Sequence, residues 1–316
     1  MKISVIGCGR WGAFIAWYLD SIGHSVKLYG RSSSTHMREL LEIRTNGLVS
    51  LADKVELVCD FEKLNDSDVI VVSIPSQGLR NLASELEKKG FFGKKFVLCM
   101  KGIEIETGKR LSQVAEEFLG SNIAVWLGPG HVQEFYRGVP NCMVIDSLNE
   151  ELKVALVNEF SSNLIRFYYG GDLLGNEVGA AAKNVIGIAA GMLDGLDLSS
   201  LKGALMARGA YEVSLLIDAM GGKGISAYGL CHLGDYEATV FSRHSHNRKF
   251  GEAFVKKEVF DGLAEGYYTA KAMMFLAKKY NVELPITSAV YNVVYNGADP
   301  KETLNKLFER RLKKEL

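Results

Sequence analysis

Gly7-Cys8-Gly9-Arg10-Trp11-Gly12 is the first segment of this 316-residue chain whose residue types and spacing could do chemistry. It follows a short apolar run, Ile3 to Ile6, and opens a segment with helical spacing, the context in which GxGxxG acquires physical meaning. Gly7 permits a tight turn, Gly9 lets backbone approach a pyrophosphate, and Gly12 lets the helix lie close to the strand. The helix N-terminus would then face phosphate oxygens. The following strand leads into Tyr29-Gly30-Arg31-Ser32-Ser33-Ser34, which lacks the acid that accepts from an adenine ribose. Arg31 is instead suited to a 2′-phosphate, through charge-assisted bonds and stacking. A preference for NADP is expected, with NAD admitted because dual-specificity enzymes also place arginine here; a solvated loop arginine is the plain alternative.

Three further segments end strand candidates and so fall at the carboxyl edge of a sheet, where ligands bind. They are Ser73-Ile74-Pro75-Ser76-Gln77, Lys101-Gly102-Ile103-Glu104 and Gly128-Pro129-Gly130-His131. In the second half, Lys183 stands among small and apolar residues in Val178-Gly179-Ala180-Ala181-Ala182-Lys183-Asn184-Val185-Ile186. A lysine in such company can project its ammonium into a cleft, and a structural salt bridge is the other reading. Gly234-Asp235 and Ser245-His246-Asn247-Arg248-Lys249 place a carboxylate and a polar, basic run in loops suited to an anionic substrate; a solvated face is the bland reading. His232, Asp235, His244 and His246 are candidate metal ligands by residue type, but no HxxxH pair supports them, and no metal is expected. His131 could simply cap or pack near the sheet edge.

Positioning these residues requires two kinds of architecture. The first half repeats a βαβ rhythm, with strand candidates Ile3 to Ile6, Val26 to Tyr29, Val69 to Ser73, Phe96 to Cys99, Ile123 to Trp126, Cys142 to Ile145 and Leu164 to Tyr169. Their continuous apolar character predicts a sheet covered on both faces. The second half is rich in Ala, Leu, Met and Lys without strand runs. The expected fold is an α/β Rossmann domain with a mostly parallel sheet over residues 1–171, followed by an all-α substrate and catalytic domain over residues 172–316. With 37 basic against 37 acidic residues, a globally basic nucleic-acid binder is disfavoured. Apolar runs fall well short of the roughly 20 residues that span a bilayer. Five cysteines scattered singly fit reduced thiols, and the absence of a signal-peptide pattern points to the cytoplasm.

Taken together, the segments resemble NAD(P)-dependent sn-glycerol-3-phosphate dehydrogenase over almost the whole chain. The similarity rests on GCGRWG at Gly7, IPSQGLR at Ile74, KGIE at Lys101, GPGH at Gly128, GNEVGAAAKNVIGIAAG at Gly175, LMARG at Leu205, GLCHLGD at Gly229, SHNRKFGEAF at Ser245 and AEGYYTAKA at Ala264. The resemblance implies reversible hydride transfer between NAD(P)H and dihydroxyacetone phosphate, giving sn-glycerol 3-phosphate for glycerophospholipid synthesis. It implies Lys183 as general acid and base, with Lys101 and Asp235 holding the substrate and Ser245 and Asn247 on its phosphate. The same matching adds Gly128, Gly130 and His246 to the substrate side. Lys101, His246, Trp11, Arg31, Val132, Leu263 and Glu265 join the glycines on the cofactor side. Two positions depart from the family pattern: Gly130 stands where a hydroxyl residue is usual, and His246 where arginine is usual, with Arg243 or Arg248 as candidate compensation. Another small phosphorylated ketone, a hydroxy acid, or a nonenzymatic NADP sensor are the alternative readings. The helical half could also carry a subunit interface, and with it a homodimer.

Overall fold

The computed structural model describes residues 1–308. Eight strands form one sheet: β1 (Lys2–Ile6), β2 (Ser25–Tyr29), β3 (Glu56–Val58), β4 (Val69–Val72), β5 (Lys95–Leu98), β6 (Ile123–Leu127), β7 (Asn141–Ser147) and β8 (Ile165–Tyr169). Their order is β3-β2-β1-β4-β5-β6-β7-β8. All neighbours are parallel except β6 and β7, which run antiparallel. The chain order reverses between β1 and β4, which creates the switch point where dinucleotides bind in such sheets. The four residues of β4, Val-Ile-Val-Val, are all buried, as a central parallel strand covered by helices requires.

Helices α1 (Arg10–Ser21), α2 (Thr35–Ile43), α3 (Leu79–Lys88), α4 (Leu111–Leu119), α5 (Val132–Tyr136) and α6 (Glu150–Phe160) alternate with the strands. Several begin where side chains satisfy the free amides of a first turn. The Ser34 hydroxyl accepts from the Met37 amide at α2, and the Asn149 side chain accepts from the Leu152 amide at α6, whose first turn carries Glu150 and Glu151. Beneath the sheet, Trp126 packs edge-on to Phe167 at 4.9 Å between ring centroids. After β8 only helices follow among the described residues: α7 (Leu173–Gly195), α8 (Lys202–Ala219), α9 (His246–Lys256), α10 (Glu265–Tyr280), α11 (Pro285–Asn296) and α12 (Pro300–Phe308). Pro285 opens α11, and the buried Glu212 carboxylate of α8 accepts from the Ile286 and Thr287 amides there.

Two compact units result: Met1–Lys101 with Lys109–Glu177, and Gly102–Gly108 with the described residues from Val178 onward. Among the described residues, no helix is long and apolar enough to cross a membrane.

Candidate active site

In the first unit, the turn between β1 and α1 is shaped by what its glycines leave out. Gly7 has φ +113°, and a Cβ there would stand 2.0 Å from the Ser73 carbonyl oxygen after β4. A Cβ on Gly12 would stand 1.8 Å from the Gly7 carbonyl oxygen, so the helix can approach the turn only without one. Gly9 behaves differently: a Cβ there would meet nothing within 4 Å. Gly9 caps α1 with extended backbone, and the amides of the helix's first turn have no partner within the helix. Open space over Gly9, beside free amides at the positive end of a 12-residue helix, fits a pyrophosphate.

Beyond β2, Arg31 is exposed, and no ion pair among the described residues holds it. Ser34 nearby caps α2. Tyr29, the last residue of β2, stacks on Phe61 at 4.2 Å. Burial pushes its phenol above the usual range, with the charges of Glu85, Cys59 and Asp60 acting in the same direction and Arg31 opposing.

The loops after β4, β5 and β6 lie side by side because those strands are parallel neighbours. The half-buried Lys101 ammonium donates to the Gly128 carbonyl oxygen at 2.7 Å, tying the second loop to the third. Gly128 and Gly130 both have positive φ, +125° and +150°. A Cβ on Gly130 would stand 2.1 Å from the Phe135 ring, which stacks at 5.2 Å on Phe14 and faces Trp11 at 6.3 Å. An α5 aromatic therefore occupies the space that a side chain at Gly130 would need. Val132, first residue of α5, is buried. His131 caps α5 with extended backbone.

In the second unit, Lys183 is 9% exposed and its ammonium meets Asp235 and Thr239. It pairs with the Asp235 carboxylate at 3.0 Å and donates to the Thr239 hydroxyl at 2.8 Å. The Thr239 hydroxyl donates in turn to the Asp235 carbonyl oxygen at 2.8 Å. Asp235 ends a short helical turn, Leu233–Asp235, and Thr239 lies in the wider turn Glu237–Phe241 that follows. Thr239 was not among the residues expected from the sequence; its signal was the four-residue step from Asp235, which puts both on one face of a helical turn.

The backbone around Lys183 is brought close by glycines. Gly179, Lys183, Gly187, Gly191 and Gly195 follow at steps of four along α7 and share a face. A Cβ on Gly187 would stand 2.7 Å from the Thr239 methyl, and one on Gly191 1.9 Å from the Arg248 carbonyl oxygen. Lysine is thus the one long side chain in a stripe that lets two neighbouring segments lie directly on the helix.

The 245–249 run begins α9. The Ser245 hydroxyl accepts from the Arg248 amide at 3.3 Å and so acts as the cap of that helix. Asn247 links three helices: its amide donates to the Asn184 oxygen at 3.0 Å, and its own oxygen accepts from the Gly266 amide at 2.8 Å. Arg248 does not stand free to compensate for the changed position at His246: its guanidinium pairs with Asp194 at 2.7 Å and Glu252 at 3.4 Å. Arg243 is exposed. The His246 ring lies edge-on to Phe260 at 6.3 Å, Leu263 is exposed, and Glu265 is the first residue of α10.

The candidate histidine ligands stand in different environments. His232 is fully buried, with both ring nitrogens bonded to protein partners. His244 is exposed. Among the described residues no group of three His, Cys, Asp or Glu could hold a metal ion.

Family models for the NAD-dependent glycerol-3-phosphate dehydrogenase N-terminus and C-terminus match residues 2–153 and 172–305. A Fusobacterium nucleatum protein named glycerol-3-phosphate dehydrogenase (NAD(P)+) is 34% identical, covering 100% of this chain and 99% of that protein. One of the same name from Clostridium botulinum strain Alaska E43 is 35% identical over 100% and 99%. A crystal structure of glycerol-3-phosphate dehydrogenase from Coxiella burnetii aligns with a TM-score of 0.91 at 27% identity, covering 98% of this chain and 99% of that one. The chain belongs to the NAD-dependent glycerol-3-phosphate dehydrogenase family.

Proposed function

From that membership we propose that the protein is an NAD(P)-dependent oxidoreductase of a CH–OH group, transferring hydride reversibly between NAD(P)H and dihydroxyacetone phosphate to give sn-glycerol 3-phosphate. The observation that carries the reading is the Lys183 ammonium, buried yet donating to both Asp235 and Thr239. A nicotinamide held by the first unit supplies the hydride when bound. As negative charge develops on the carbonyl oxygen, an ammonium fixed by two acceptors can stabilise and then protonate it without searching for its geometry. Asp235 orients Lys183 and bonds a substrate hydroxyl; Lys101 holds the substrate from the β5 loop.

Phosphate recognition is assigned to the start of α9. The Ser245 hydroxyl retains its own O–H while accepting as a cap, and Asn247 retains its second amide N–H. Gly128, Gly130 and His246 complete the substrate side. Gly7, Gly9, Trp11, Gly12, Arg31, Lys101, Val132, His246, Leu263 and Glu265 form the cofactor side, with NADP preferred over NAD through Arg31. The proposed division is a dinucleotide-binding domain over 1–171 and a helical catalytic domain over 172–316. A homodimer, a cytoplasmic location and a role in supplying glycerol 3-phosphate for membrane lipids complete the proposal. Initial rates of NADPH and NADH oxidation with dihydroxyacetone phosphate, against unphosphorylated dihydroxyacetone, test it: a phosphate-dependent rate that is greater with NADPH is expected. Turnover of another phosphorylated ketone in preference would reassign the substrate.

A further inference from the structure

Beneath the Lys183 pair lies a second polar cluster with no part in the reaction as derived above. His232 and Tyr236 are both fully buried, on the segment that also carries Asp235 and Thr239. The His232 Nδ1 lies 2.8 Å from the Gly179 carbonyl oxygen, and its Nε2 lies 2.6 Å from the Tyr236 hydroxyl. A carbonyl can only accept, so Nδ1 carries the proton; Nε2 is then the acceptor, and the Tyr236 hydroxyl donates to it.

The placement of these bonds is specific. Gly179 precedes Lys183 by four residues, one helical turn, on the same face of α7. His232 precedes Asp235 by three, and the Asp235 amide donates to the His232 carbonyl oxygen at 3.0 Å. One imidazole therefore sets the separation between α7 and the Asp235 turn, one step below the point where Lys183 reaches Asp235 and Thr239. Room has been left for it. A Cβ on Gly179 would stand 3.0 Å from the His232 Cβ, and one on Gly209 of α8 would stand 3.0 Å from the Tyr236 hydroxyl.

We propose that His232 and Tyr236 are a buried positioning pair that fixes the Lys183 ammonium against Asp235 and Thr239, so that the proton donor is already aligned when substrate binds. The assignment rests on Lys183 as proton donor. Protonating Nε2 would remove the acceptor of the Tyr236 hydroxyl, so the device works only with neutral histidine. Burial favours that form, pushing the imidazole down to about 4 against hydrogen bonding by the Gly179 and Gly209 backbone; Asp235 also opposes the shift and Lys183 adds to it. Around Tyr236, burial together with the charges of Glu212 and Tyr228 holds the phenol protonated, well above its usual range.

The test uses the full chain with His232→Leu, His232→Asn and Tyr236→Phe, assayed for NADPH oxidation with dihydroxyacetone phosphate well below each unfolding midpoint. His232→Leu should lower kcat about 10-fold or more, as misplacement of a reacting group does, with the KM for NADPH within about twofold. His232→Asn, whose amide can still donate toward the Gly179 carbonyl, should recover most of that loss. Tyr236→Phe removes the donor that favours neutral histidine, so the acid limb of kcat should move to higher pH. A kcat and a pH profile within about twofold of the parent in both His232→Leu and Tyr236→Phe would overturn the proposal, whatever happens to the midpoint; should His232→Leu not fold, Tyr236→Phe decides. Lys183→Ala separates the two readings: turnover in that variant removes the premise, whereas loss of turnover there with normal His232→Leu removes only the positioning pair. Nitrogen-15 spectra of the parent at pH 6 give a readout independent of turnover. Proton on Nδ1 and none on Nε2 is expected, and a proton on Nε2 would also sink the idea.

Discussion

Gly9 in the first unit and the α7 glycines of the second do opposite work. In the first, Gly9 opens onto empty space, and what it offers is backbone amide to a ligand. In the second, Gly179, Gly187 and Gly191 have no empty space at all; they let His232, Thr239 and Arg248 lie on α7 so that one lysine can be held from two sides. Removing a side chain creates a binding surface in one unit and a rigid mount for a side chain in the other. The two uses differ in what a methyl group would damage, affinity or stability, and that difference is measurable.

The largest effect belongs to the mounted side chain itself. Lys183→Ala should lower kcat by about 10²–10⁴, the range for loss of a positioned acid, while fluorescence titration shows NADPH binding intact. Next come the two kinds of glycine. Gly191→Ala drives a methyl onto the Arg248 carbonyl and should cost about 3 kcal/mol in urea unfolding, whereas Gly9→Ala should leave stability within about 0.5 kcal/mol and weaken NADPH binding instead. If both variants lost stability equally, the contrast between the units would collapse.

Acid should loosen the second unit through His232. Its folded pKa of about 4 lies below the ordinary 6.5, so between those values the unfolded chain binds a proton that the folded one does not. Stability should therefore be full above pH 6.5 and fall as the pH drops toward 4, by at most about 3 kcal/mol. His232→Asn should flatten that part of the profile. The smallest effect expected is at Arg31: Arg31→Ala should reduce the ratio of kcat/KM for NADPH over NADH by about 10-fold, reflecting loss of a charge-assisted contact, with little change for NADH.

How much of this could be read from the residues depended on how local each feature is. GxGxxG, its strand and its helix are contiguous, so Gly7, Gly9 and Gly12 were interpretable in order along the chain. Lys183 stood out because its helical neighbours are apolar or small. β3 is not legible in this way: three residues at the sheet edge, Glu56–Val58, are too few to show a period. Thr239 and the His232–Tyr236 pair are not legible for another reason. They lie in irregular turns whose residues are ordered only by what they touch on α7, and His232 read alone suggested a ligand as readily as a core residue.

The sequence by itself determined the chemistry available: a phosphate cradle, an arginine where an acid is usual, a lysine in apolar company, and a βαβ half followed by a helical one. Hydrophobic period and glycine spacing are properties of neighbours along the chain, so they survive without coordinates. Tertiary structure alone decided which groups met. Asp235 and Thr239 are 52 and 56 residues from Lys183, and Phe135 takes the space beside Gly130. A hydrogen bond requires placement to within a few tenths of an ångström, and across such separations only the packed backbone supplies it.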